Sequence, residues 1–222
     1  MIMNSKISVK FPPKNLDSVV WRYMTMENFE KMLLPYQGDG ATKENCLYLH
    51  RSDLYPDKLE GTFPEKMVFK ESAFSRRNVL SIYEPYFKQT HFVSCWTIRD
   101  EEVLKMWETF GRVTESIVVK TTFRKLVDSL DPVFGYEVVK IKYDDHFQTE
   151  VSGYYPKEAL SIKDEEFHDE KEVRIIANNP FGHSEQPPLD NDGTWERPDG
   201  LTGTIWPISA EELIDEIRIH PR

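Results

Sequence analysis

The sequence has only two cysteines, Cys46 and Cys95, far apart and outside any Cys-x-x-Cys pattern. Such a pair builds neither a disulfide framework nor a zinc site, and it suits a reducing cytoplasm. Long apolar runs are missing too. Nothing approaches the roughly 18 apolar residues of a membrane span. The start, Met1-Ile2-Met3-Asn4-Ser5-Lys6, lacks the apolar core of a signal peptide. The expectation is a cytoplasmic protein with no membrane partner. No Gly-x-Ser-x-Gly elbow is present, and no Gly-rich phosphate loop or Gly-x-Gly-x-x-Gly turn follows a strand, which argues against serine hydrolases and common nucleotide-binding folds. The six histidines show no metal-binding spacing, so no metal site is expected from them. Positive charge is scarce, with 28 Lys and Arg against 38 Asp and Glu and a net charge of −10. A long nucleic-acid backbone is therefore repelled, and nucleic acid remains a partner only where a local basic patch accepts it.

What is present is globular. In 222 residues, 39% are hydrophobic, 13% aromatic and 30% charged, enough to build one domain around a real core. Residues 1–18, with Pro12-Pro13, read as an N-terminal arm or loosely docked strand, and residues 19–222 as a single domain. Val19 to Thr25 reads as a strand ending at a helix cap, followed by a helix with Phe29, Met32 and Leu33 on one face that stops before Pro35. Further strands are expected at Cys46–Leu49, Phe92–Thr97, Ser116–Lys120, Glu137–Tyr143, Ala159–Lys163 and Ile217–His220. Helices are expected over 73–88, with Pro85 kinking or shortening it, over 101–110 behind a Thr97/Asp100 capping box, and over 122–130. Ser209 and Glu212 form a second capping box. Strands and helices alternate without an even βαβ rhythm. The fold class is therefore α+β, with mixed or antiparallel sheets flanked by helices.

Charge collects in two places. Phe167 to Ile176 reads as one strand, with Val173 and Ile175 toward a core and Glu170, Glu172 and Arg174 on the other, partly solvated face. That face is a candidate site, or alternatively a self-neutralising surface ladder. The loop at residues 50–61 carries Asp53, Asp57 and Glu60 on turn-forming sequence. Asp53, Asp57, Glu170 and Glu172 could together hold magnesium in a nuclease, although an Asp shortly before a Glu-x-Lys strand is absent. Cys95 sits between apolar residues and reads more readily as structural than as a nucleophile. The loop at 178–201, rich in Pro and Gly, is the longest and a candidate lid.

One set of residues fits an ordered chemical plan: Arg22, Ser94 and Glu170-x-Glu172. An Arg grips a pyrophosphate, a Ser braces a ribose or nicotinamide, and a carboxylate stabilises the oxocarbenium-like carbon left as nicotinamide departs. The order and strand placement resemble the Arg, Ser, Glu pattern of the ADP-ribosyltransferase superfamily, with Ser94-Cys95-Trp96 replacing the usual Ser-Thr-Ser. A resemblance covering about residues 19–221 is carried by Trp21-Arg22-Tyr23, Ser52 to Gly61, Val93 to Trp96, Met106-Trp107 and Glu170 to Arg174. These look like the uncharacterised bacterial family called domain of unknown function 2971, although that family has Asn-Asp-Pro-Phe where this chain has Tyr55-Pro56-Asp57-Lys58.

These resemblances imply an ADP-ribosyltransferase-like or NAD-glycohydrolase-like enzyme of bacterial or phage origin, serving as a toxin or phage-defence effector. NAD or a related nucleotide would be its ligand, and Glu172 the catalytic carboxylate. Glu170 would orient an acceptor, and Arg22, Tyr23, Ser94 and Trp96 would contact the cofactor. For Trp96 and Trp107 the favoured reading is a core ring, because their strand and helix positions bury naturally. The second reading is a non-enzymatic module that docks a protein partner through the charged strand and the 50–61 loop.

Overall fold

Runs of β-branched and aromatic residues form strands here, and short polar caps between them start helices. The computed structural model describes residues 7–55, 57, 59–64, 84–110, 115–145, 156–178 and 200–220. The strands are β1 (Ile7–Lys10), β2 (Val19–Thr25), β3 (Asn45–Arg51), β4 (His91–Ile98), β5 (Ser116–Thr122), β6 (Tyr136–Lys140), β7 (Lys142–Tyr143), β8 (Ile162–Lys163), β9 (Glu172–Asn178), β10 (Gly203–Ile208) and β11 (Glu216–Ile219). The helices are α1 (Met26–Leu33), α2 (Glu84–Thr90), α3 (Leu104–Phe110), α4 (Phe123–Asp128) and α5 (Ala210–Leu213). Single 3-10 turns lie at Ser52–Leu54, Pro156–Ser161 and Glu165–Glu170.

Nine strands make one sheet in the order β1-β6-β9-β4-β2-β5-β11, with β3 joined to β4 and β10 to β3. Every pairing in it is antiparallel except β1 with β6, so the fold is α+β around a mixed, mainly antiparallel sheet. The expected N-terminal arm contributes an edge strand, since Ile7 pairs with Tyr136. No helix among the described residues is long and apolar enough to cross a membrane.

The sheet is buried on both faces. On one, Val20, Phe92, Trp96, Val173 and Ile175 pack with Phe29 of α1, Leu126 of α4 and Leu213 of α5. On the other, Val93, Val139 and Ile176 pack with Leu160 and Phe87, while Trp21, Tyr23 and Val118 pack with Met106 and Trp107 of α3. Removing side chains of this size from water contributes about 1.5–3 kcal/mol each, so a central strand with apolar partners on both sides is strongly held. β4 is shared: its first part pairs with β3 (His50 with Val93) and its last part with β2 (Trp21 with Thr97), so β2 and β3 diverge beside it.

Two caps form as the sequence predicts, at Thr25 and Ser209, and Thr122 supplies a third. The hydroxyls of Thr25, Thr122 and Ser209 accept from the backbone N–H of Asn28, Lys125 and Glu212. Other expectations are corrected. Leu33 is exposed rather than buried with Phe29 and Met32. Thr97 caps no helix, because its residue continues β4 and its hydroxyl bonds the Glu170 carbonyl, and α3 starts at Leu104. The strand expected from Phe167 starts at Glu172. Residues 165–170 coil into a 3-10 turn capped by Asp164, and Lys171 leaves it in the left-handed region at φ 45°. Ala159 to Ser161 likewise belongs to a turn, and only Ile162-Lys163 is strand. Pro85 lies in the first turn of α2, where its missing N–H breaks no helical bond. Residues 73–83 of that expected helix, and 179–199 of the expected lid loop, lie outside the described residues.

Candidate functional site

Register places the site. Glu172 of β9 stands opposite Thr97 of β4, and Thr97 opposite Trp21 of β2, so all three share a face. Cys95 and Arg174, opposite each other one row along, share it too. A pocket opens on this face, lined by that row and by Tyr23, Trp96 and Glu170. Tyr55, Cys95 and Lys163 complete it. It holds about 470 Å³ of space including its open mouth. Trp96 reaches it although its strand position belongs to the opposite face, beside the divergence of β2 and β3.

The carboxylate side of the pocket is a charge cluster. Arg174 donates from Nε and Nη2 to the two Glu172 oxygens at 2.8 and 3.0 Å. Its two terminal nitrogens also grip Glu60, Nη2 at 2.9 Å, and Nη1 bonds the Leu160 carbonyl at 2.8 Å. Lys163 reaches forward to Glu170 at 2.6 Å and to Glu172 at 3.5 Å. The Glu172 N–H donates to the Tyr143 hydroxyl at 2.7 Å. Burial alone would raise the Glu172 pKa, but the Arg174 charge and hydrogen bonds, helped by Lys163, outweigh it and hold the carboxyl low. At Glu60 burial wins over Arg174, and its pKa is raised. Gly61, at φ +66°, gives the chain the left-handed turn that follows Glu60.

The expected partly solvated face is therefore corrected. Arg174 is 1% exposed, Glu172 4% and Glu60 4%. Charges this deep persist because each faces an opposite one with its hydrogen bonds made, whereas an exposed ladder would do without partners. Glu170 sits at the end of the 3-10 turn, off the strand; Lys171 in the left-handed region reverses the chain there, and Glu170 meets Lys163 beside Glu172.

Arg22 and Ser94 are also corrected. Each is one residue away from a pocket position in its strand, so alternation puts both on the face opposite Glu172, and neither lines the pocket. Arg22 donates to the Tyr48 carbonyl at 3.1 Å and lies 5.6 Å from the centre of the Trp96 ring. Ser94 accepts from the Trp96 indole N–H at 3.2 Å. The two residues hold Trp96 instead of completing a cleft with Glu172. Tyr23 and Trp96 do line the pocket, and Trp107 is a core ring set edge-on to Tyr23 at 5.1 Å.

The remaining candidates separate. Asp53 pairs with Arg51 at 2.6 Å, and Asp57 accepts from the Leu59 N–H at 2.9 Å. Neither joins Glu170 and Glu172, and among the described residues no group of three His, Cys, Asp or Glu side chains is placed to hold a metal. The Cys95 thiol donates to the Tyr55 hydroxyl at 3.4 Å. Burial, and then the Glu172 charge, push its pKa well up, which fits the structural reading of this cysteine.

Sequence reasoning missed Lys163, Trp21, Tyr55 and Thr97 as pocket residues. Trp21 and Thr97 follow from the β2–β4–β9 register, which no local pattern reveals. Lys163 arrives from the short strand β8 and Tyr55 from the end of the 3-10 turn at Ser52–Leu54. Comparison of the chain with known families, curated proteins and solved structures finds no match in any of the three.

Proposed function

We propose that the protein binds a small ligand through a flat ring, of the kind found in nicotinamide and the nucleobases, in the pocket between Trp21, Tyr23 and Trp96. One observation carries the reading: aromatic side chains from two strands meet two carboxylates at one opening, so a ring finds apolar aromatic contact and acceptors for its polar edge.

NAD is the ligand that the resemblance to ADP-ribosyltransferases implies, and the pocket suits only part of it. A nicotinamide ring matches the aromatic walls and the acceptors Glu170 and Glu172. The pyrophosphate does not fit. Lys163 is the cation in the described lining and is already bridged to both carboxylates, while Arg22 lies on the other face. No transfer step is derived through Arg22 and Ser94. The grip of Arg174 on Glu172 favours binding without turnover, which is the non-enzymatic reading, with Glu170 as the carboxylate nearer to ligand and solvent.

The test is calorimetric titration of nicotinamide, adenosine and NAD into the protein, with NAD consumption followed in parallel. The expected result is saturable binding of a ring-bearing ligand that weakens in Glu170→Gln. Absence of binding by all three overturns the reading. NAD consumption abolished by Arg22→Lys would restore the transferase assignment.

A further inference from the structure

We propose that Lys163 is a tethered counter-ion which a ligand displaces from Glu170, so that the pocket selects a positively charged ring over a neutral one. This rests on the ring-binding reading above and adds the ligand's charge and the residue that sets the selectivity.

Among the described residues, Glu60 and Glu172 share Arg174, while Glu170 and Glu172 share Lys163, in a site lined by rings. Arg174 is spent on Glu60 and Glu172, at depth. Glu170 has Lys163 as its cation among the described residues, and Glu170 and Lys163 both line the pocket. Lys163 thus takes, beside a carboxylate of the pocket lining, the place an entering cation would take. An aromatic face attracts a cation through its quadrupole, more strongly once water is excluded.

Displacement would not strand the lysine. Its ammonium is 3.5 Å from Glu172 and 4.7 Å from the centre of the Phe167 ring, so it keeps a carboxylate and a ring when Glu170 is taken. Its backbone is fixed meanwhile. Its carbonyl accepts from the Asp144 N–H at 3.1 Å, and its residue pairs with Tyr143 in the β7–β8 ladder. A tethered ammonium on a fixed strand is a competitor with a constant local concentration, which lowers the affinity for cations more than for neutral rings.

The experiment compares nicotinamide with N1-methylnicotinamide, which differ by one methyl group and one positive charge, by calorimetry on the full chain. The cation should bind wild type roughly tenfold tighter or more, the scale of one desolvated cation–π contact. Lys163→Met should raise the preference for the cation over the neutral ring by about another tenfold. Glu170→Gln should weaken the cation selectively. Circular dichroism confirms that each variant is folded, and the wild-type comparison stands without any variant. Equal or tighter binding of the neutral ring overturns this inference but leaves the ring-binding reading. So does an unchanged or lowered preference for the cation in folded Lys163→Met. Failure of both probes to bind wild type and Lys163→Met overturns both.

Discussion

Glu172 and Thr97 stand directly opposite each other on neighbouring strands, and that pairing decides which side of the sheet the site occupies. Trp21 extends the row onto β2, so its neighbour Arg22 must look the other way. A one-residue shift in either register would have gathered Arg22 with Glu172 instead. The site is a consequence of pairing more than of composition.

Arg174→Met should be among the most damaging single substitutions in the chain. It leaves Glu60 and Glu172 buried without a guanidinium, which costs about 3–5 kcal/mol. Glu170→Gln, at the rim, should cost under about 1 kcal/mol. Urea unfolding of both variants beside wild type checks the contrast. Equal midpoints would mean that the cluster contributes little to the fold.

Acid sensitivity should begin with His91. Burial lowers its pKa from 6.5 to about 3, while its Nδ1–H donates to the Phe87 carbonyl at 2.9 Å. The unfolded chain takes a proton below pH 6.5 and the native protein does not until about pH 3, so stability falls as pH drops through that window. The slope approaches about 1.4 kcal/mol per pH unit. His91→Phe should flatten the decline between pH 6.5 and 5. Glu172 acts lower. Its folded pKa lies below the ordinary 4.5, so its contribution is complete above pH 4.5 and is lost as pH falls from there toward about 2. Unfolding free energies measured against pH for wild type and the His91 variant separate the two.

Gly61→Ala should destabilise by about 1–3 kcal/mol. The position has φ +66°, and an added Cβ would meet the Leu160 side chain at 2.9 Å. Because Glu60 enters the charge cluster from the preceding position, ring binding should weaken along with the thermal midpoint. A variant with an unchanged midpoint would show that the 57–61 turn does not fix Glu60.

Much of this fold is legible in the sequence. The strand runs at 19–25, 92–97 and 116–120 and the caps Thr25 and Ser209 state themselves through β-branched residues and short hydroxyl side chains. The start of β9 does not. Phe167 to Lys171 alternates as a strand would, yet Asp164 caps a turn there and Lys171 takes a left-handed conformation rare for a residue with a Cβ. The charge motif announced an interesting place but not its burial, because, of the residues that make Arg174 and Glu172 tolerable inside, Glu60 is far away in sequence and Lys163 sits on a separate short strand before the 3-10 turn. Arg22 and Ser94 were readable as residue types with a chemistry. Their face was not, since it depends on which residue of β4 pairs with which of β2.

The most direct test of the ring-binding pocket is a 15N spectrum of the tryptophan indole N–H groups during titration with N1-methylnicotinamide. Trp21 and Trp96 line the pocket, while Trp206 packs elsewhere against Phe134 and Tyr136. The account predicts saturable shifts of the Trp21 and Trp96 resonances, assigned by substitution to Phe, with Trp206 unmoved. Saturable binding that leaves both pocket indoles in place, or moves Trp206 instead, would contradict it.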